Sequence, residues 1–426
     1  MVKYGLCGKT LRHSYSAIIH GLLGNNEYSL INMTEQEFYE FMKKREFSAV
    51  NVTIPYKTDA LKCCDEVSDE ALKIGSVNTV INKDGRLYGY NTDYFGFKYM
   101  LDGAGIDVSE KKVLIFGTGG TSLTARRVVA DCGARETVIV SRSGEVNYEN
   151  VYSHSDADIL INTTPVGMFP DNGKSLIDVS RFHNLSGVAD VIYNPLRTRL
   201  ISNAAKAGIP AVSGLSMLTA QAVKAHELFF SMRFDNIDET IEKILAECTS
   251  SVCNIILVGM PGCGKTTVGN ILSSLTGKPL YDSDTEIEKS TGRTPAEIIK
   301  ADGEPAFRHI ETQVLDNLTK MSGCIIATGG GAVLSEENRI LMKQNGICVY
   351  IKRETENLAT SGRPLSEGGM ERLYKLFEQR NPIYSALADF DVSIDENPEK
   401  CAGEILSRFS SKDILNGLTV MKSKKG

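Results

Sequence analysis

At 426 residues the chain is longer than one ordinary domain, and its 42% hydrophobic and 23% charged residues are the composition of a globular protein. A formal net charge of −6 argues against nucleic acid or an anionic membrane as the main partner, and no run approaches the eighteen apolar residues that a membrane span needs. Small-molecule substrates are the expected partners. Ten cysteines without a C-x-x-C pair read as reduced thiols in the cytoplasm rather than a disulfide framework. The six histidines show no metal-binding spacing.

Residues 1–8 read as a short strand entering a loop and lack the apolar core of a signal peptide. Four segments then stand out: Ser14-Tyr15-Ser16-Ala17-Ile18-Ile19-His20, Asn51-Val52-Thr53-Ile54-Pro55-Tyr56-Lys57, Gly75-Ser76-Val77-Asn78-Thr79 and Gly89-Tyr90-Asn91-Thr92-Asp93. Taken singly, Lys57 reads as a solvated surface lysine and Asp93 as a turn residue. An apolar strand over 113–116 runs into Gly117-Thr118-Gly119-Gly120, and a helix is predicted over 122–130. That strand–turn–helix order suits a dinucleotide, whose pyrophosphate would meet the helix N-terminus. The next strand, 137–140, ends in Ser141-Arg142-Ser143. An NAD-binder usually has an acidic residue there, whereas an arginine suits a 2′-phosphate. Residues 218–246 carry apolar residues at helical spacing, and the polar stretch 247–252 reads as a linker.

Over residues 1–246 these segments, with Asn162-Thr163-Thr164-Pro165, Asp190-Val191-Ile192-Tyr193 and Gly214-Leu215-Ser216-Met217, resemble the shikimate dehydrogenase family. The one departure in the first motif is Ala17, where the family has proline. The resemblance implies that Ser14 and Ser16 bind the substrate carboxylate, Thr53 and Asn78 the ring hydroxyls, and Tyr193 and Gln221 the substrate. It puts Lys57 and Asp93 on the reacting oxygen, where a hydride reaching the carbonyl carbon leaves an alkoxide that an acid must protonate. Gly117, Gly119, Gly120, Ser141, Arg142, Thr163 and Met217 would hold NADP(H).

A second apolar strand, 255–258, leads into Gly259-Met260-Pro261-Gly262-Cys263-Gly264-Lys265-Thr266, which fits G-x-x-x-x-G-K-[ST] at every fixed position. Small residues let backbone N–H groups turn inward around phosphates, the lysine reaches the outer phosphates, and the Thr266 hydroxyl meets Mg²⁺. Thr267 opens the helix beyond. Asp282 and Asp284 follow; two such carboxylates also suit a helix N-terminal turn. The arginine–glutamate pair at Arg308 and Glu311 would by itself be an ordinary surface pair. Three glycines, Gly329 to Gly331, end the next strand and allow close backbone approach.

Over residues 252–410 this order resembles the shikimate kinase family. The resemblance implies that Gly262, Gly264, Lys265, Thr266 and Thr267 bind ATP, and that Thr266 and Asp282 serve Mg²⁺. Asp284 would act on the attacking hydroxyl. Arg308, Gly330 and Arg380 would bind the substrate, and Arg363 would close over the transferred phosphoryl group from a lid.

The fold expected is α/β throughout: a two-lobed dehydrogenase, then a P-loop kinase domain with a parallel sheet. Its parts are a substrate lobe (1–100, completed by a helix over 215–246), a Rossmann-like NADP lobe (101–214), the linker (247–252), the kinase domain (253–412) and a tail (413–426). Together the two resemblances imply NADPH-dependent reduction of 3-dehydroshikimate to shikimate and then its phosphorylation by ATP, on the route to aromatic amino acids. A quinate-type dehydrogenase in the first half and a non-catalytic regulator built from such domains are the alternatives. The regulator should have lost Lys57, Asp93, Lys265 or Asp284, and all four are present.

Overall fold

The computed structural model describes residues 3–11, 14–358, 369–394 and 397–421. The chain forms two compact units. One spans Thr249–Leu418, and the other holds the chain before it together with the C-terminal residues from Thr419.

The first unit opens with β1 (Tyr4–Gly8), α1 (Ser16–Leu22), β2 (Tyr28–Asn32), α2 (Glu35–Lys44) and β3 (Ala49–Val52). It continues through α3 (Lys57–Cys63), β4 (Glu66–Val67), α4 (Asp69–Ile74), β5 (Thr79–Lys83), β6 (Arg86–Tyr90) and α5 (Thr92–Ala104). The strands form a mixed sheet in the order β2-β1-β3-β5-β6-β4. β1 and β3 are buried along their whole length, so their sequences are nearly continuous apolar runs rather than alternating ones.

A second sheet follows, from β7 (Lys112–Phe116), α6 (Gly120–Asp131), β8 (Glu136–Val140), β9 (Ile159–Asn162), β10 (Gly187–Asp190), α7 (Arg199–Lys206) and β11 (Ala211–Ser213). Two helices come next, α8 (Leu215–Phe230) and α9 (Ile237–Val252). β7 through β11 pair in parallel. The order runs β11-β10-β9-β7-β8, so the winding reverses between β7 and β9. At such a reversal the loops after neighbouring strands diverge and leave a crevice beyond the carboxyl ends of the strands.

The second unit contains β12 (Asn254–Val258), α10 (Lys265–Thr276), β13 (Leu280–Asp282), α11 (Ser283–Thr291), α12 (Pro295–Asp302) and α13 (Glu304–Lys320). Then come β14 (Ile325–Ala327), α14 (Glu336–Gln344), β15 (Gly346–Lys352), α15 (Gly369–Leu387), β16 (Phe390–Ser393), α16 (Pro398–Phe409) and α17 (Lys412–Thr419). Its five strands are all parallel in the order β13-β14-β12-β15-β16. The last element, β17 (Val420–Met421), lies back in the first unit, antiparallel to β11 with Val420 opposite Val212 and Met421 opposite Ala211.

Three expectations change. The single helix expected over 215–246 is two, α8 and α9, separated at Ser231, which takes a left-handed conformation (φ 49°). The stretch 247–252 does not break the helix but is the end of α9, and the boundary between the two units falls inside it, after Cys248. Ile241, Ile244, Cys248 and Val252 recur at three- and four-residue steps and are all buried. Burying such side chains contributes roughly 1.5–3 kcal/mol each, which outweighs the few tenths that each Thr or Ser costs in a helix. Within the tail expected over 413–426, the described residues form the greater part of α17 and all of β17. Val420 packs on the core around Val113 and Val212, and Met421 on that around Leu114 and Ala211.

Candidate active sites

β3 leaves the first sheet at Thr53, and the chain turns over Pro55 so that Lys57 begins α3. Asp93 reaches the same place from α5, whose N-cap Asn91 accepts a hydrogen bond from the Tyr94 amide and donates to the Ser76 carbonyl. A carboxylate in the first turn of α5 is favoured by the helix dipole. Lys57 Nζ donates to Asp93 Oδ2 at 2.6 Å, and the two side chains are only 10% and 8% exposed. The lysine that looked solvated is therefore buried and paired. Its ammonium also donates to Thr121 Oγ1 at 3.2 Å, on the helix that follows the glycine turn.

Beside this pair, Asn78 accepts from the Thr92 amide at 2.7 Å and donates to Thr92 Oγ1 and Gln221 Oε1. Asn78 and Gln221 are thus brought together although 143 residues separate them. Ser14 Oγ donates to Ser16 Oγ at 3.1 Å, and Ser14 also hydrogen-bonds Tyr193. Thr53 stands at the mouth of β3, where a Cβ on Gly8 would come within 2.7 Å of its methyl group. Thr92, although inside one of the four segments, and Thr121 had no role from sequence, because the partners of each are brought to it by the tertiary fold.

The nucleotide turn lies at the reversal in the second sheet. Gly117 has φ +110°, and a Cβ there would stand 2.7 Å from Thr163 Oγ1, so the position requires glycine. Thr163 crosses from β9 to the end of β7, donating through its amide and its hydroxyl to the Phe116 carbonyl. α6 has Gly119 as its N-cap and so no side-chain cap, and nothing lies within 4 Å of where a Gly119 Cβ would be. The first amides of the helix thus meet an uncrowded surface, as an incoming pyrophosphate requires. Ser141 and the exposed Arg142 follow β8 directly, and Met217 is buried in the first turn of α8.

In the second unit β12 feeds the other loop. Gly262 and Gly264 have φ +82° and +102°, and α10 begins without a side-chain cap. Lys265 Nζ folds back onto the carbonyls of Gly259 and Met260 at 2.9 Å each. Thr266 Oγ1 donates to Asp282 Oδ2 at 2.7 Å, while Thr267 is exposed. Asp282 is also the N-cap of α11 and accepts from the Asp284 amide, so the capping role and the contact to Thr266 coexist.

The ends of β13 and β14 adjoin. The Gly329 amide donates to Ser283 Oγ, and a Cβ on Gly329 would stand 2.9 Å from Glu311 Oε1 and 3.0 Å from Asp284 Oδ1. Arg308 donates to Glu311 Oε2 at 2.8 Å. Burial raises the Glu311 carboxyl above its usual range, and Arg308 opposes the shift. A Cβ on Gly331 would collide with the Arg308 guanidinium, and the Tyr384 hydroxyl donates to the Gly330 carbonyl. The buried Arg380 hydrogen-bonds Tyr384 and acts electrostatically on Glu311. Arg363 lies outside the described residues.

A family model for the shikimate dehydrogenase substrate binding domain matches residues 6–80. A Clostridium beijerinckii protein named shikimate dehydrogenase (NADP(+)) is 35% identical over 253 residues, 55% of this chain and 93% of that protein. The chain belongs to the shikimate dehydrogenase family. A crystal structure of shikimate dehydrogenase 1 from Peptoclostridium difficile agrees with it, at 34% identity and a TM-score of 0.54 over 58% of this chain and 99% of that one. So does the shikimate 5-dehydrogenase of Thermus thermophilus in complex with NADP(H) and shikimate, at 28% identity and a TM-score of 0.50, over 57% of this chain and 100% of that one. A shikimate kinase family model matches residues 261–410. Dehydrogenase and kinase are therefore fused in one bifunctional enzyme of the shikimate pathway, which uses NADP and ATP. Among the described residues no helix is long and apolar enough to cross a membrane.

Proposed function

We propose that the first unit reduces 3-dehydroshikimate to shikimate with NADPH, and that the second phosphorylates shikimate with MgATP to give shikimate 3-phosphate. The observation that carries this is the buried Lys57–Asp93 pair, held at 2.6 Å beside the nucleotide turn. NADPH, when bound, supplies the hydride for the carbonyl carbon. The protein's own task is the proton. Lys57 donates it to the alkoxide oxygen, while Asp93 keeps the ammonium in place and balances its charge. Ser14 and Ser16 hold the substrate carboxylate, Tyr193 joins them through Ser14, and Thr53, Asn78 and Gln221 hold the ring. Gly117, Gly119, Gly120 and Thr163 shape the pyrophosphate site, Met217 lies at the nicotinamide, and Ser141 and Arg142 meet the 2′-phosphate.

In the second unit Gly262, Gly264, Lys265, Thr266 and Thr267 cradle ATP. Thr266 and Asp282 together offer Mg²⁺ a hydroxyl and a carboxylate, a hard-oxygen pair suited to a cation that keeps waters and phosphate oxygens as its other ligands. That ion would neutralise charge on the phosphates. Asp284 takes the proton of the attacking hydroxyl, Arg308 and Arg380 bind the carboxylate, Gly330 lines the same site, and Arg363 closes over the phosphoryl group. Phosphoryl transfer needs little more than such positioning and charge neutralisation. We place the enzyme in the cytoplasm, a reducing compartment that suits ten cysteines none of which forms a disulfide.

Purified protein should oxidise shikimate with NADP and phosphorylate it with MgATP. Quinate turning over faster than shikimate, or NAD serving better than NADP, would overturn the substrate or cofactor assignment for the first unit.

A further inference from the structure

The catalytic lysine proposed above touches the nucleotide turn at both ends of its side chain. Lys57 Nζ donates to Thr121 Oγ1 at 3.2 Å, and Thr121 is the second residue of α6. At the other end, a Cβ on Gly120 would stand 3.0 Å from Lys57 Cβ and 3.3 Å from Cδ, so the lysine stem lies flat against the turn. An ammonium group has three protons to donate. Asp93 receives one and Thr121 a second, which leaves the third for the reacting oxygen. With Asp93 as sole anchor, the head of a four-carbon side chain could swing about a single contact. Two acceptors on different elements, α5 and α6, fix its direction. The Thr121 hydroxyl has no capping duty to explain it, since the N-cap of the helix is Gly119 and no side chain caps it.

We propose that Thr121 is a positioning residue for the reduction: its hydroxyl aims the Lys57 ammonium at the reacting oxygen, so that the turn that receives the nucleotide also sets the proton donor. The inference rests on the assignment of Lys57 and Asp93 as the proton-handling pair. It makes the nucleotide turn part of the acid–base apparatus as well as a phosphate cradle.

The test is a double-mutant cycle on the full-length enzyme, following shikimate oxidation and the dissociation constant for NADP. Thr121→Ala should lower kcat roughly three- to ten-fold, the worth of one such hydrogen bond, with the NADP dissociation constant unchanged. Thr121→Ser should restore kcat to within roughly two-fold of wild type, whereas Thr121→Val, which keeps the shape and loses the hydroxyl, should not. In a Lys57→Ala background, Thr121→Ala should cost nothing further, because the group it acts through is gone. Equal losses in both backgrounds, or kcat unaffected in Thr121→Ala, would overturn the proposal. Weaker NADP binding at unchanged kcat would overturn it too, by making Thr121 a nucleotide contact. Wild-type activity in Lys57→Ala itself would instead bring down the underlying assignment, so the two failures are distinguishable.

Discussion

The two sites of this enzyme differ in how far the side chains at their centres are buried and paired. In the dehydrogenase unit Lys57 and Asp93 are buried and already joined, and the neighbouring amide groups of Asn78 and Gln221 already bond one another. In the kinase unit the loop lysine rests on backbone carbonyls, Asp284 and Thr267 are exposed, and Thr266 spends its hydroxyl on Asp282. Proton transfer depends on a donor kept dry and correctly aimed. Phosphoryl transfer depends on cations and dipoles gathered round a multiply charged ligand, which can itself help to organise them. The first site thus holds its lysine and aspartate buried and paired, whereas in the second Thr266, Thr267 and Asp284 are exposed beside Arg308 and its buried partner Glu311.

The strongest way to break this contrast is Lys265→Ala. Phosphorylation should disappear while NADP-linked oxidation of shikimate continues at its normal rate, and a kinase assay of the purified variant decides it. Kinase activity near wild type would end the assignment of Lys265 to the phosphates.

Next in size are Lys57→Ala and Asp93→Ala. Each should lower dehydrogenase turnover by roughly 10²–10⁴, the range for losing acid–base assistance. NADP binding and phosphorylation should persist. Turnover within a few-fold of wild type in both variants would mean that the buried pair is structural.

Arg142→Ala should weaken NADP binding roughly ten- to a hundred-fold, as expected for one charge-assisted contact to phosphate, and leave NAD binding unchanged. Titration with both nucleotides reads this directly. Equal losses would place Arg142 outside the 2′-phosphate site.

The smallest effect concerns the end of the chain. Removing residues from Val420 onward strips β17 from β11, together with the partly buried Val420 and Met421. The dehydrogenase unit should lose about 1–2 kcal/mol, a fall of several degrees in its melting temperature, while the kinase unit melts as before. No change in either transition would show that β17 adds nothing to the sheet it joins.

Legibility in the sequence followed the range of the interactions. The phosphate loop with Lys265 and Thr266 could be read because glycine spacing, preceding strand and following helix are local features. Lys57 and Asp93 could be paired only because four short motifs resembled one family in the right order; singly, each looked ordinary. The end of α9 was legible in principle, since Ile241, Ile244, Cys248 and Val252 form a helical stripe, but the polar Thr249-Ser250-Ser251 masked it. β17 was not legible. Two residues have no period, and their partners in β11 lie some two hundred positions away in the sequence. Thr121 is a similar case, since only the tertiary fold brings its hydroxyl to an ammonium 64 residues distant.

Whether one polypeptide carries out both consecutive reactions is decided by a coupled assay. Purified enzyme is given 3-dehydroshikimate, NADPH and MgATP, and NADPH consumption is compared with the phosphorylated product formed. Shikimate should accumulate when ATP is withheld, and with ATP each NADPH oxidised should be matched by one molecule of shikimate 3-phosphate. NADPH oxidation with no phosphorylated product, or phosphorylation of added shikimate with no NADPH oxidation, would show that it does not.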